Sequence, residues 1–228
     1  MSFAPLPAFY EKNARRYGHA HHGKWEMTPI ETYTCTNCGA SDRERLYALW
    51  MDQEIEKGRF SPGMSAIHFA PEAPLSRKLS RFGLFDYKTA DLWMRGVDFK
   101  ADMMDLPFED QRFDFFVCSH VLEHVPNDDQ AIKELYRITR CGGCGILMAP
   151  IVVGLAKTVE NPGATNEADR WRLYGQNDHV RLYAHNDYTN KIRSHGFHLE
   201  ELGVQHFGEE AFHRLGLKRT SILYVVSK

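Results

Sequence analysis

The sequence lacks any apolar stretch near the roughly 20 residues that a membrane-spanning helix needs, so a helical membrane protein is not expected. It also lacks a surplus of either charge. Its 28 basic and 30 acidic residues leave a net −2 at neutral pH. With a pI near 6.6 there is no electrostatic footprint for DNA, RNA or an anionic membrane. The opening Met1-Ser-Phe-Ala-Pro-Leu-Pro7 has no basic region leading into an apolar core, so no secretory signal is expected. Cysteine is sparse: five residues, an odd number without a disulfide-like framework, fit a reducing cytoplasm. Repeats and low-complexity tracts are absent. So is glycine from His68-Phe-Ala-Pro-Glu-Ala-Pro-Leu75, where a dinucleotide fold needs it to bring backbone against pyrophosphate. That absence disfavours NAD but leaves room for a nucleoside cofactor without phosphates.

What is present is an ordinary globular composition, 43% hydrophobic and 25% charged over 228 residues. This length makes one domain, or one domain with an appendage, and buries a core without staples. The chain is organised around Phe113-Asp-Phe-Phe-Val-Cys-Ser-His-Val-Leu-Glu-His-Val-Pro126. Phe113 to Cys118 is an apolar run of the kind found in strands buried on both faces of a parallel sheet. It delivers Ser119 and His120 at the carboxyl end, outside which open α/β sheets bind ligands. His120-Val-Leu-Glu-His124 also matches the H-x-x-E-H pattern of inverted zinc peptidases. That chemistry needs a long helix carrying both imidazoles. Here a strand feeds directly into His120 and Pro126 closes the turn, so no metal is expected.

Along the chain, Ala8 to Tyr17 has helical character, and His19, His21 and His22 sit beside glycines. Cys35-Thr-Asn-Cys38 forms a tight turn. With His19 and His22 it has zinc-finger-like spacing in reverse order, and structural zinc is the alternative to plain packing there. Cys141 and Cys144 read as packing positions. Ser41 and Glu44 predict a capping box for a helix from Arg43 to about Lys57. Strands are then expected at Met64–Ala70, Tyr87–Ala90, Val97–Ala101, Phe113–Cys118 and Gly145–Ala149. Helices are expected at Leu75–Phe82 and from Asp128 to Ile138, the latter ended by Gly142-Gly143 in left-handed conformation. Alternation of this kind makes a doubly wound α/β sheet with right-handed crossovers. Residues 154–186 read as a long polar loop, of a length that is more often functional. A helix at Asp187–Ser194 and strands at Phe197–Val204 and Ser221–Val226 complete the chain. Residues 1–60 are taken as an N-terminal helical and Cys-containing extension capping the acceptor side, and residues 61–228 as the main domain.

Asp91 ends the second strand, where doubly wound folds place a carboxylate for both ribose hydroxyls. Asp102, ending the third, can accept from an adenine amino group beside Met103. Solvated strand-end acids are the plain alternative. Glu72 can face a cationic ligand group, or be a surface acid.

These pieces together resemble a class I S-adenosylmethionine-dependent methyltransferase over about Ala66 to Pro150. The resemblance rests on Ala90-Asp91-Leu92, Ala101-Asp102-Met-Met-Asp-Leu-Pro-Phe108, Phe113 to Val125, and the helix Ala131 to Ile138 running into Gly142-Gly143. It implies a mostly parallel, seven-stranded Rossmann-like sheet with a reversed last strand. It implies S-adenosyl-L-methionine as cofactor and S-adenosyl-L-homocysteine as product. Ala70, Pro71 and Glu72 would border the methionine moiety, Asp91 with Leu92 the ribose, Asp102 with Met103 the adenine, and Ser119 and His120 the sulfonium. The glycine-free first loop departs from the family pattern and keeps a non-catalytic cofactor-binding protein in view. For an alcohol acceptor a base of pKa near working pH is needed, which favours histidine: His120 first, then His179. Asp178, Arg181 and Tyr183 are the expected polar acceptor-binding groups. The expected acceptor is a small hydroxylated molecule such as a sugar or glycan precursor. No nucleic-acid or membrane partner is expected, and a homo-oligomer is compatible with the sequence. A zinc-dependent hydrolase through His120, Glu123 and His124 is the remaining alternative.

Overall fold

A computed structural model describes residues 1–228. Seven strands make the main sheet: β1 Met64–Phe69, β2 Phe85–Asp91, β3 Phe99–Lys100, β4 Phe113–Ser119, β5 Thr139–Met148, β6 His198–Leu202 and β7 Leu223–Ser227. Their order is 3-2-1-4-5-7-6. β1 to β5 pair in parallel. β7 runs antiparallel to both neighbours, the reversed strand that the resemblance implied. β4 lies between β1 and β5 because it is apolar on both faces. Phe115, Phe116, Val117 and Cys118 are fully buried, and each such large side chain contributes about 1.5–3 kcal/mol. Gly145 on β5 is required there: a Cβ would lie 2.3 Å from the Phe116 ring.

The helices are α1 Ala8–Tyr17, α2 Asp42–Glu56, α3 Ala73–Phe82, α4 Asp128–Ile138, α5 Glu167–Tyr174 and α6 His185–Ser194, with two short turns of helix before β7. Ser41 caps α2 in a complete capping box with Glu44. α2 enters the main core through Leu46, Tyr47, Trp50 and Met51. The extension drawn at residues 1–60 therefore contributes one helix to that core. No helix is long and apolar enough to cross a membrane.

Two expectations are corrected. Gly142 and Gly143 do not end α4. Thr139 already leaves the helix in extended conformation, and β5 runs through both glycines in a bulge between the Phe113 and Phe115 pairings. Gly142 has φ 79° and binds Lys228 O, so the glycines serve strand irregularity rather than a helix stop. Residues 154–186 are not an open loop. They hold α5 and the strand pieces Val159–Glu160 and Arg181–Ala184, the latter lying between Val159–Glu160 and Ile151–Val152. The period-2 signal was invisible because these strands are only two to four residues long.

The first 41 residues are fastened over this region. Phe3–Ala4 pairs with Thr34–Cys35, Trp25 bridges to Val152, and Tyr17 stacks on Trp171 of α5 with centroids 6.0 Å apart. Glu26 is buried beneath them and accepts from Tyr224 Oη at 2.9 and 3.0 Å, with His185 Nδ1 at 3.4 Å. Burial pushes its carboxyl up to about 7, against the opposing pull of Tyr224 and His185. The folded state then keeps a proton that the unfolded chain has released. Stability is expected to fall by about 2 kcal/mol as pH rises from 5 to 7 through this group. Glu26→Gln, which keeps an acceptor for Tyr224, should flatten that slope. Urea unfolding at pH 5 and pH 7 measures it, and equal slopes in both proteins would remove Glu26 as the cause.

Candidate active site

The carboxyl ends of β1, β2, β3 and β4 open into a cleft of about 960 Å³. Ala70, Asp91, Leu92, Asp102, Met103, His120 and Asp178 all line it, so seven of the expected residues converge. Asp91 Oδ1 accepts from the backbone amides of Trp93 and Met94 at 2.6 and 2.5 Å. Asp102 Oδ1 accepts from Met104 N at 2.8 Å. Each carboxylate is oriented by one oxygen and keeps the other for a ligand. Leu92, Trp93 and Met94 are exposed beside Asp91, Trp93 at 83%. An unprotected indole on a cleft wall is the surface on which a flat heterocycle stacks.

The first loop turns without glycine. Ala70 takes φ 48°, the left-handed conformation usually left to glycine, at a cost of about 1–2 kcal/mol. Pro71 and Glu72 do not reach the cleft. Glu72 instead bonds to buried His68 at 2.9 Å and faces Arg43 at 3.4 Å. Burial would raise its carboxyl, but His68 and Arg43 hold it at about 2. The expectation that Glu72 borders the ligand gives way to a locked His68–Glu72–Arg43 link behind the loop. Ser119 likewise turns inward, with Oγ 3.0 Å from Tyr47 Oη.

A second cavity, about 230 Å³, adjoins the first. It is covered from the N-terminal side by Tyr10, Trp25, Thr28, Tyr33 and Arg43, and from the late segment by Tyr174, Gln176 and His179. His120 and His124 line both cavities. His120 has φ 56°, so the chain bends sharply where β4 ends and presents the imidazole at the junction. Its Nδ1 is 3.4 Å from Oε1 of Glu123, an ion-pair distance. Residues 121–127 form turns, not a helix. The inverted-peptidase geometry is therefore absent.

Arg181 and Tyr183 line neither cavity, so they are corrected as acceptor-binding groups. Arg181 is buried, with Nη1 bonded to the carbonyls of Leu122 and Val125 and Nη2 to that of Pro126. Tyr183 donates to Asp128 at 2.6 Å. Both brace the turn that carries Glu123 and His124. Cys35 and Cys38 meet no further ligand group, since the convergent ligand-type side chains are Glu123, His124 and His179. The sequence pointed to an N-terminal cap but not to the residues that form it, and it gave no sign of Trp93 and Met94. Glu123 and His124 carried a local signal, the H-x-x-E-H pattern.

Comparison with known proteins bears on the domain and the fold. A family model described as "Methyltransferase domain" matches residues 82–147, from the end of α3 into β5. The 2-methyl-6-phytyl-1,4-hydroquinone methyltransferase 2 of Oryza sativa subsp. japonica is 36% identical over 59 residues, 25% of this chain and 17% of that one. The ubiquinone/menaquinone biosynthesis C-methyltransferase UbiE of Bartonella henselae is 42% identical over 48 residues, 21% and 18%. The chain thus spans about a fifth of the length of the curated relatives it matches. Among solved structures, the CurJ carbon methyltransferase superposes with TM-score 0.52 at 14% identity, over 80% of this chain and 53% of that one. The [4+2]-cyclase SpnF superposes with TM-score 0.51 at 13% identity, over 99% and 96%. Residues 82–147 thus match a methyltransferase domain, and the seven-stranded sheet has the fold of these solved structures.

Proposed function

We propose that this chain transfers the methyl group of S-adenosylmethionine to a hydroxyl of a small polar acceptor, such as a sugar or glycan precursor. The observation that carries the reading is His120, which stands where the adenosyl-sized cleft meets the smaller cavity. The residues present fit the cofactor. Two strand-end carboxylates each keep an oxygen for its ribose and adenine donors, and Trp93, Met94 and Met103 supply an apolar wall. When bound, the cofactor supplies an electrophilic methyl on a sulfonium. The chain's own task is alignment and exclusion of water. Nδ1 of His120 faces Glu123 Oε1 at 3.4 Å, which leaves Nε2 as the nitrogen to take the acceptor proton.

The small cavity supports a polar acceptor. Only five of its fourteen lining residues are hydrophobic, and its volume suits one sugar ring rather than a prenyl tail. The relatives named for quinone and hydroquinone substrates motivate the second reading, carbon methylation of a phenolic ring. The same fold also occurs in a protein called a cyclase, so the fold does not decide the reaction. Incubation with methyl-labelled cofactor and panels of sugar nucleotides, quinols and RNA separates these readings. Label in the sugar panel is expected. Label only in RNA, or only in quinols, would overturn it. For the cofactor side, Asp91→Asn keeps an acceptor but loses the charge. Its dissociation constant for S-adenosylhomocysteine should rise about tenfold to a hundredfold, by calorimetry, as for one charged hydrogen-bonded group. An unchanged constant would remove Asp91 from the ribose.

A further inference from the structure

Glu123 sits at the centre of an unusual arrangement. Its side chain is wholly buried, and neither carboxylate oxygen has a hydrogen-bond partner. Most buried carboxylates are hydrogen-bonded or coordinate a cation, because an isolated buried charge is costly. The groups facing Glu123 are His120 Nδ1 at 3.4 Å and His124 Nε2 at 3.9 Å. His179, from the late segment, packs edge-on against His124 with centroids 4.7 Å apart. Its Nδ1 is also buried and unpartnered. Two neighbouring residues therefore carry three buried polar atoms without partners.

We propose that Glu123, His124 and His179 bind one divalent transition-metal ion on the wall of the acceptor cavity. One ligand atom from each lies within 4.8 Å of the others. Ligands around a four-coordinate ion stand roughly 3.4 Å apart, given bond lengths of about 2.1 Å, so closure takes small side-chain rotations. Two imidazoles and one carboxylate suit zinc, iron, cobalt, nickel or manganese and leave positions open. The supporting shell is present as well. Asp178 Oδ2 lies 3.4 Å from Nδ1 of His124, within reach to act as the outer carboxylate that orients a ligating imidazole. Arg181 holds the carbonyls on either side of the pair in place. This site differs from the peptidase pattern, because His179 replaces His120 as the second imidazole and no helix is involved.

The role follows from the reading that the small cavity holds the methyl acceptor, and it rests on that reading. All three residues line that cavity. An ion there takes an acceptor hydroxyl oxygen at an open position and makes its proton more acidic. The proton passes to His120, the oxygen pair forms the new O–CH3 bond, and the C–S pair leaves with sulfur as neutral thioether. The products are the methyl ether, S-adenosylhomocysteine and one proton.

The test uses the untagged full chain after dialysis against a chelator. Co²⁺ is titrated by visible absorption and Zn²⁺ by calorimetry, in wild type, His124→Ala and Asp178→Asn. One equivalent of Co²⁺ with ligand-field bands is expected. These bands should be lost in His124→Ala, where the half-exposed side chain can be removed without opening the core. Asp178→Asn should bind about tenfold to a hundredfold more weakly. Binding of equal strength in His124→Ala would place the ion elsewhere, for instance at His19–His22, and overturn the proposal. So would the absence of binding in wild type. S-adenosylhomocysteine binding by the metal-free chain is measured in parallel. If it persists while no metal binds, only the metal site falls; if metal binds but the nucleoside does not, the methyltransferase reading falls.

Discussion

His120→Asn is expected to lower turnover by about 10²–10⁴-fold, the range for removing a general base, while the affinity for S-adenosylhomocysteine stays unchanged. Asparagine is the suitable replacement because His120 occupies φ 56°, a conformation that Asn tolerates better than most residues. The bend after β4, held by His120 N to Met148 O at 2.9 Å, is then retained. Loss of rate with intact binding assigns the imidazole to proton transfer. Loss of both would mean that the bend itself had moved, and loss of neither would remove His120 from the chemistry.

Arg45→Met should destabilise the chain by about 3–5 kcal/mol, because four carbonyls lose a shared charged donor and each buried acceptor left unmet costs about 1–3 kcal/mol before relaxation. Against a total stability of about 5–15 kcal/mol this is a large fraction. Arg45 is buried, and its guanidinium serves four carbonyls: Leu215 at 2.8 Å, Tyr33 at 2.9 Å, Ala40 at 2.8 Å and Thr32 at 2.6 Å. It also lies over the Phe3 ring, 4.6 Å from the centroid. Methionine fills the volume but leaves those acceptors buried and unmet. Urea unfolding followed by fluorescence measures the loss, and a change below about 1 kcal/mol would contradict the assignment. Because Tyr33 covers the acceptor cavity, the variant should also raise KM for the acceptor more than the affinity for the cofactor falls.

Arg45 shows how legibility varied along the chain. Nothing in the sequence around Arg45 pointed to its role. Its partners lie at residues 32, 33, 40 and 215, and no local pattern encodes a guanidinium that joins the N-terminal cover to the segment before β7. The reverse holds for Ser41 and Glu44. Their spacing of three is the whole of the capping signal, so the box was legible and is present.

The same division explains the site. Asp91 and Asp102 were found because each follows its own strand, and strand ends can be read from apolar runs. Arg181 and Tyr183 were misassigned because polarity in a late segment does not say which way a side chain turns. Both face inward to brace residues 122–128. Glu123 was visible only through a pattern that the turn geometry excludes.

Alternating apolar runs and amphipathic segments, each a matter of neighbours within a few residues, were enough to determine a doubly wound sheet with carboxylates at its ligand-binding edge. Tertiary structure alone decided which residues of the N-terminal extension close the second cavity, and that Glu123, His124 and His179 meet although 55 positions separate the last two from each other in chain order. The physical reason is range. Secondary structure and capping depend on contacts a few residues apart, whereas an unpartnered buried carboxylate acquires its meaning from whichever distant side chains the packed core brings against it.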